Sequence, residues 1–197
     1  MTRPRPIVGC DLDDVLSDFI KAFMTIAATK YGVDPTVRPS SWEWDDANMT
    51  KEMVKGVWDE ITTTYNFWTK LDVESGVSYE WVRTLDENAK LYFPTARAHC
   101  FGDDVGVQSA HWLWDKFDIS FPTVIVSNDK GPLAAALKYD YFIDDRPKNC
   151  IEVKQALPSC KVFLKDASHN KAASLAHLDI PRVKDFDTFA QIVLRGE

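Results

Sequence analysis

The chain has 197 residues, 45% of them hydrophobic, which suits one ordinary globular domain with room for a small insertion. A formal charge of −7 and a pI near 5.1 argue against long stretches of nucleic-acid backbone as a partner. A small anion is not excluded, because one metal ion and one or two bases can reverse the field inside a cleft. The four cysteines (Cys10, Cys100, Cys150, Cys160) are scattered without a C-x-x-C pair, so buried thiols in a reducing compartment are expected, not a disulfide frame or zinc site. "MTRPRPIVG" carries no apolar signal segment and no run reaches membrane-spanning length, so the expected location is the cytoplasm.

In chain order, short apolar runs rich in β-branched and aromatic residues read as strands: "IVGC" (7–10), "LYF" (91–93), "TVIVS" (123–127), "YFI" (141–143) and "KVFL" (161–164). Their hydrophobicity is continuous rather than alternating, which suits strands covered on both faces. Helices are expected between them, at 104–117, at "GPLAAALKY" with Pro132 in its first turn, and at 150–157. Alternating strand and helix predicts a doubly wound α/β domain with a parallel sheet. About eighty residues separate the first two strands, far more than a crossover needs. Within that gap Phe19, Ile20, Phe23 and Ile26 fall at helical spacing, as do Met53, Val54, Val57, Trp58 and Ile61. Residues 19–75 are therefore expected to form a small helical cap, with 1–18 and 76–197 as the core. A third stripe, Val77, Trp81, Val82 and Leu85, leads back into that core.

Ligands of open α/β sheets bind beyond the carboxyl ends of the strands. Here four successive strand ends carry Asp11-Leu12-Asp13, Thr95-Ala96-Arg97, Ser127-Asn128-Asp129-Lys130 and Asp144-Asp145-Arg146. In "VGCDLDDVLSDF" four acids crowd behind a buried strand, a density usually tolerated only around a cation. An all-oxygen donor set suits Mg²⁺. A free carboxylate can attack phosphorus, a second can move protons, and a lysine and a hydroxyl can hold phosphoryl oxygens. The types fit phosphoryl transfer.

Those motifs resemble the haloacid dehalogenase superfamily, and within it the 5'(3')-deoxyribonucleotidases. "DLDDVLSDF" is similar to the first motif, "LYFPTAR" to the Thr motif, "VSNDKG" to the Lys motif and "FIDDRP" to the paired-Asp motif. "SHN" (168–170) falls where the family often carries His-Asn. The resemblance implies a Rossmann-like core with the cap inserted after strand one. It implies Asp11 as nucleophile and metal ligand, and Asp13 as general acid/base with its carbonyl on the metal. Thr95, Ala96 and Lys130 would line the phosphate site, Asp144 would complete the Mg²⁺ site, and Asp145 would hold a metal-bound water. Asp13 also favours phosphate ester hydrolysis, since dehalogenases of the superfamily lack it. Ala96 stands where Ser is common and Asn128 where Arg is common, which bears on substrate preference. An aromatic cap pocket would stack the base, with Phe19, Trp42, Trp44, Phe67 and Trp68 in the matching places.

Plainer structural roles stand beside these. Asp14 and Asp18 suit helix N-terminal acids, Thr95 suits a helix cap, and Arg97 and Arg146 suit ion pairs to the acidic cluster. His99, His111, His169 and His177 have no paired metal-ligand spacing and receive no chemistry. The expected activity is Mg²⁺-dependent hydrolysis of (deoxy)nucleoside monophosphates through an aspartyl-phosphate. A phosphatase of the same superfamily acting on a sugar phosphate or other small phosphometabolite is the nearest alternative, and a non-catalytic nucleotide-binding protein the next. The expected partner is the small substrate, with no nucleic-acid polymer and no membrane; a homodimer is left open.

Overall fold

The protein was described from a computed structural model covering residues 5–41, 44 and 47–197. Six strands form one all-parallel sheet in the order β3-β2-β1-β4-β5-β6. They are β1 (Ile7–Cys10), β2 (Lys90–Thr95), β3 (Thr123–Val126), β4 (Tyr141–Asp144), β5 (Lys161–Lys165) and β6 (Arg182–Val183). Strand order runs outward from β1 to β3, then returns to the other side of β1 and runs outward again. That reversal puts the topological switch point at the carboxyl end of β1, where a crevice opens between flanking connections.

The continuous apolar runs are explained by burial on both faces. One face of the sheet carries Val8, Cys10, Tyr141, Ile143 and Phe163, packed with α3 (Tyr79–Asn88), α4 (Val105–Phe117) and α7 (Phe186–Arg195). The alternate residues Phe142, Val162 and Leu164 point the other way, into a separate core with α5 (Lys130–Leu137) and α6 (Pro147–Ala156). The expected strands and helices of the core are all present. β6 and α7 add to them: α7 is capped by Asp185, whose carboxylate accepts from Thr188 N–H, and buries Phe186, Phe189, Ala190 and Val193. All four cysteines are buried free thiols. No described helix is long and apolar enough to cross a membrane.

Between β1 and α3 lie α1 (Phe19–Tyr31), α2 (Lys51–Thr63) and a 3₁₀ turn at Phe67–Thr69. Asp18 is the N-cap of α1, accepting from Lys21 N–H, and is clasped by both Arg38 Nη atoms at 2.7 and 2.8 Å. The helices are entered and left through adjoining backbone. Ser17 bridges Val73 antiparallel, Asp18 N–H donates to the Asp72 carbonyl, and Glu74 N–H to the Leu16 carbonyl. The inserted segment is seated firmly on the core. Trp68 Nε1 donates to the Ala98 carbonyl at 2.8 Å, and Trp112 Nε1 of α4 to the Leu71 carbonyl at 2.7 Å.

Gly9 in central strand β1 lets Tyr139 and Phe142 close directly over the backbone, since a Cβ there would meet their ring atoms at 2.4 to 2.8 Å. Those rings stack at 6.1 Å between centroids. Gly9→Ala must displace them, and overpacking of this kind costs about 1–3 kcal/mol. Urea unfolding is expected to show that loss; a midpoint equal to wild type would mean the rings yield freely.

Candidate active site

β1, β2 and β4 are neighbours and end at the same edge, so Asp11, Thr95 and Asp144 meet at the switch point. Asp11 directly follows β1, and its N–H still pairs with the Ile143 carbonyl at 3.1 Å. The chain then turns sharply: Leu16 and Ser17 N–H groups both return to the Leu12 carbonyl at 2.8 Å, while Leu12, Val15 and Leu16 bury their side chains. Within this turn Asp14 sits in the left-handed region (φ 55°), which Asp tolerates better than most residues. Its carboxylate takes the Ile20 N–H at 3.0 Å, so it braces the start of α1 without capping it.

Lys130 reaches the same point from the first residue of α5. Its ammonium donates to Asp11 Oδ1 in a short contact and to Asp144 Oδ2 at 2.6 Å. Burial alone would draw the Lys130 pKa down; the Asp11 and Asp144 carboxylates outweigh it and push it above its ordinary value. Burial raises Asp11 strongly despite Lys130, with Asp144 and Asp145 adding to the rise. Burial raises Asp144 too. Asp144 is further held by Arg146 N–H at 2.8 Å and by Asn149 Nδ2 at 3.1 and 3.0 Å. Asn149 is absent from the sequence expectations; its only signal is a place one helical turn into α6.

The Thr95 hydroxyl is wholly buried and has no hydrogen-bond partner among the described residues. A buried hydroxyl left so is costly unless a ligand completes it. Thr95 does not cap a helix, correcting that reading: β2 is followed by a loop, and Asp104 caps α4. Ala96 and Asn128 are exposed beside it. Asp13 does not join the Lys130 cluster and instead pairs with Arg97 (Nη2 to Oδ1, 2.8 Å).

Asp11, Asp144 and Asp145 place carboxylate oxygens within 4.8 Å of one another, all buried. The set is all-oxygen and carries more negative charge than Lys130 alone offsets, so it fits a hard divalent ion such as Mg²⁺. His169, which the sequence leaves without chemistry, lies with Nε2 at 2.6 Å from Asp145 Oδ2, an ion-pair distance. It forms a second ligand-capable group with Asp14 and Asp145. Asn170 Nδ2 donates to the Asp145 carbonyl at 2.6 Å, so "SHN" supports the paired-Asp motif from β5.

Trp42 lies outside the described residues. The other aromatic candidates are packed inward: Phe19, Trp44, Phe67 and Trp68 are all at most 5% exposed. Phe19 stacks on Trp68 at 5.7 Å and Phe23 on Trp44 at 4.1 Å. In this conformation none of the four offers an open face to a base. A polar cleft of about 230 Å³ opens beside Asp14, walled by Arg38, Glu74, Lys165 and Lys171. A larger cavity of about 580 Å³ touches Pro6, Asn88, Asp140 and Ser159, which precede strands, so it lies at the opposite end of the sheet from the carboxylates.

The family model for 5' nucleotidase, deoxy (pyrimidine), cytosolic type C protein matches residues 5–196. No curated protein sequence gives a significant match. Among solved structures, a haloacid dehalogenase family hydrolase from Deinococcus radiodurans R1, with bound phosphate and sodium, superposes with TM-score 0.61 at 12% identity over 99% of this chain and 97% of that one. A haloacid dehalogenase superfamily hydrolase, subfamily IA, variant 1, from Geobacter sulfurreducens PCA gives 0.58 at 13% identity over 95% and 96%. A hydrolase from Pseudomonas syringae gives 0.55 at 15% identity over 95% and 97%. At such identities these structures speak for the fold; the match along nearly the whole chain is what makes it a member of the cytosolic type C 5' deoxynucleotidase family, a nucleotidase-like phosphoric monoester hydrolase.

Proposed function

We propose that the chain hydrolyses (deoxy)nucleoside monophosphates to nucleoside and phosphate through an aspartyl-phosphate on Asp11. The observation that carries this is the pairing of Asp11 with Lys130 at the end of β1, with adjacent β2 ending in a buried Thr95 hydroxyl that has no partner among the described residues. A carboxylate so placed has one oxygen in the lysine's grip and the other available for attack on phosphorus. Thr95 and Lys130 would receive the phosphoryl oxygens as charge develops on them. Asp13 would give the leaving oxygen its proton and later take one from water. Asp11, Asp144 and the Asp13 carbonyl would hold Mg²⁺, with Asp145 behind them. The ion would neutralise phosphoryl charge and let the dianion approach these carboxylates.

A second reading, hydrolysis of a smaller phosphometabolite, is favoured by the inward packing of the described cap aromatics. A phosphate-release screen over ribo- and deoxynucleoside monophosphates and sugar phosphates separates the two. Nucleotide esters are expected to lead it; sugar phosphates leading would transfer the assignment to the second reading.

Asp11→Asn should abolish turnover with the fold intact, because a carboxamide is a poor nucleophile and a poorer metal ligand. Residual turnover above about a thousandth of wild type, on an estimate typical of losing a catalytic group, would point to another nucleophile. Mg²⁺ should raise the unfolding midpoint of the chelator-stripped protein, by about 2.7 kcal/mol of stability at a hundredfold excess over Kd. Asp144→Asn should flatten that response. An unchanged midpoint in the wild type would argue against metal at these carboxylates.

A further inference from the structure

Arg97 follows Thr95 by two residues, yet its side chain is fully buried. Its donors converge on one oxygen of Asp13: Nε lies 3.0 Å and Nη2 2.8 Å from Oδ1. The Ser17 hydroxyl reaches the same oxygen at 2.9 Å. Oδ2 has a single longer contact, 3.2 Å from Nε. The guanidinium is itself pinned, with Nη1 on Ser109 Oγ at 2.9 Å and Nη2 on Ser17 Oγ at 3.1 Å. Its carbon lies 4.9 Å from the Trp68 ring centroid and 5.8 Å from that of Trp112. Those indoles are fixed in turn by their bonds to the Ala98 and Leu71 carbonyls. A planar fork with five donors can meet all of these partners together; an ammonium cannot.

We propose that Arg97 is a positioning residue for Asp13, anchoring Oδ1 so that Oδ2 is aimed at the ester oxygen that leaves. The proposal rests on the phosphatase reading above. As Asp11 attacks, the phosphorus–ester oxygen bond breaks and the proton on Asp13 Oδ2 passes to the departing alkoxide. In the second half, Asp13 takes a proton from the water that attacks phosphorus. The Asp11–phosphorus bond breaks, and the Asp11 carboxylate and inorganic phosphate separate. Oδ1 can accept from Arg97 and Ser17 whether or not Oδ2 is protonated, so the anchor holds through both halves. Because Trp68 belongs to the inserted segment and covers the guanidinium, the seating of that segment sets the aim of the acid.

The test is single-turnover release of the leaving group, in Mg²⁺, from two esters: a deoxynucleoside monophosphate and p-nitrophenyl phosphate. The nucleoside leaves as a strongly basic alkoxide that needs the proton, whereas p-nitrophenolate leaves without it. Arg97→Ala should slow nucleoside release about a hundredfold or more, the low end of what a general acid supplies. It should slow nitrophenolate release less than about tenfold on the same scale. KM for both esters should hold within a few-fold. Arg97→Lys, which keeps the buried charge and the stem, should fold in any case and show the same asymmetry in weaker form. Equal slowing of both esters in Arg97→Lys, or none, would overturn the positioning role while leaving the phosphatase reading intact. A wild-type chain silent on both esters would overturn that reading itself.

Discussion

Buried negative charge at the end of β1 is the constraint from which the rest of the site follows. Asp11, Asp144 and Asp145 are each at most 5% exposed and lie within mutual ligand distance. Burial disfavours every one of these charges, and their proximity adds to the cost. Lys130, placed between Asp11 and Asp144, offsets part of it. His169 lies on the other side, with Nε2 2.6 Å from Asp145 Oδ2. What remains is a deficit of positive charge at the carboxyl ends of β1 and β4. The parallel sheet makes this concentration feasible, because neighbouring strands β1 and β4 end side by side at the same edge.

A second layer of groups keeps those carboxylates aimed. Asn149 and the Arg146 N–H hold Asp144, Asn170 holds the backbone of Asp145, and Arg97 holds Asp13. These partners come from the starts of helices and from loops, where backbone N–H groups are free to donate. The indoles over Arg97 extend this support to the inserted segment. The geometry at Asp13 and the packing of the inserted segment are therefore joined at Trp68.

The parallel strands were legible because burial on both faces writes an unbroken apolar run, and the strand-end acids because they interrupt it. Helix α7 was legible in principle: Asp185, then Phe186, Phe189, Ala190 and Val193, then Gly196, spell a capped amphipathic turn set. β6 has two residues, too few for any periodicity. Arg97 was legible only as an ion pair to the acidic cluster and His169 only within "SHN", while Asn149 leaves almost no local trace. Their meaning lies in partners far along the chain, Asp13 being 84 positions from Arg97, and only the fold brings them together. The cap aromatics are ambiguous in the sequence for a different reason. A large ring in a loop suits a ligand or a core equally well, and the neighbours that decide are set by tertiary packing.

The paired backbone at Ser17 and Val73 has a consequence for how such a chain can vary. Both ends of the inserted segment meet at one bridge, so the core experiences it as a closed loop. The entropic cost of closing a loop grows only with the logarithm of its length, about 0.6 kcal/mol for each doubling. A longer or shorter insertion hung from the same bridge would therefore leave the sheet nearly undisturbed, provided that Trp68 kept its place over Arg97. The loop after β2 is less free to change, since it carries Arg97, which holds Asp13. Length can then vary within the insert while the strand ends keep their places.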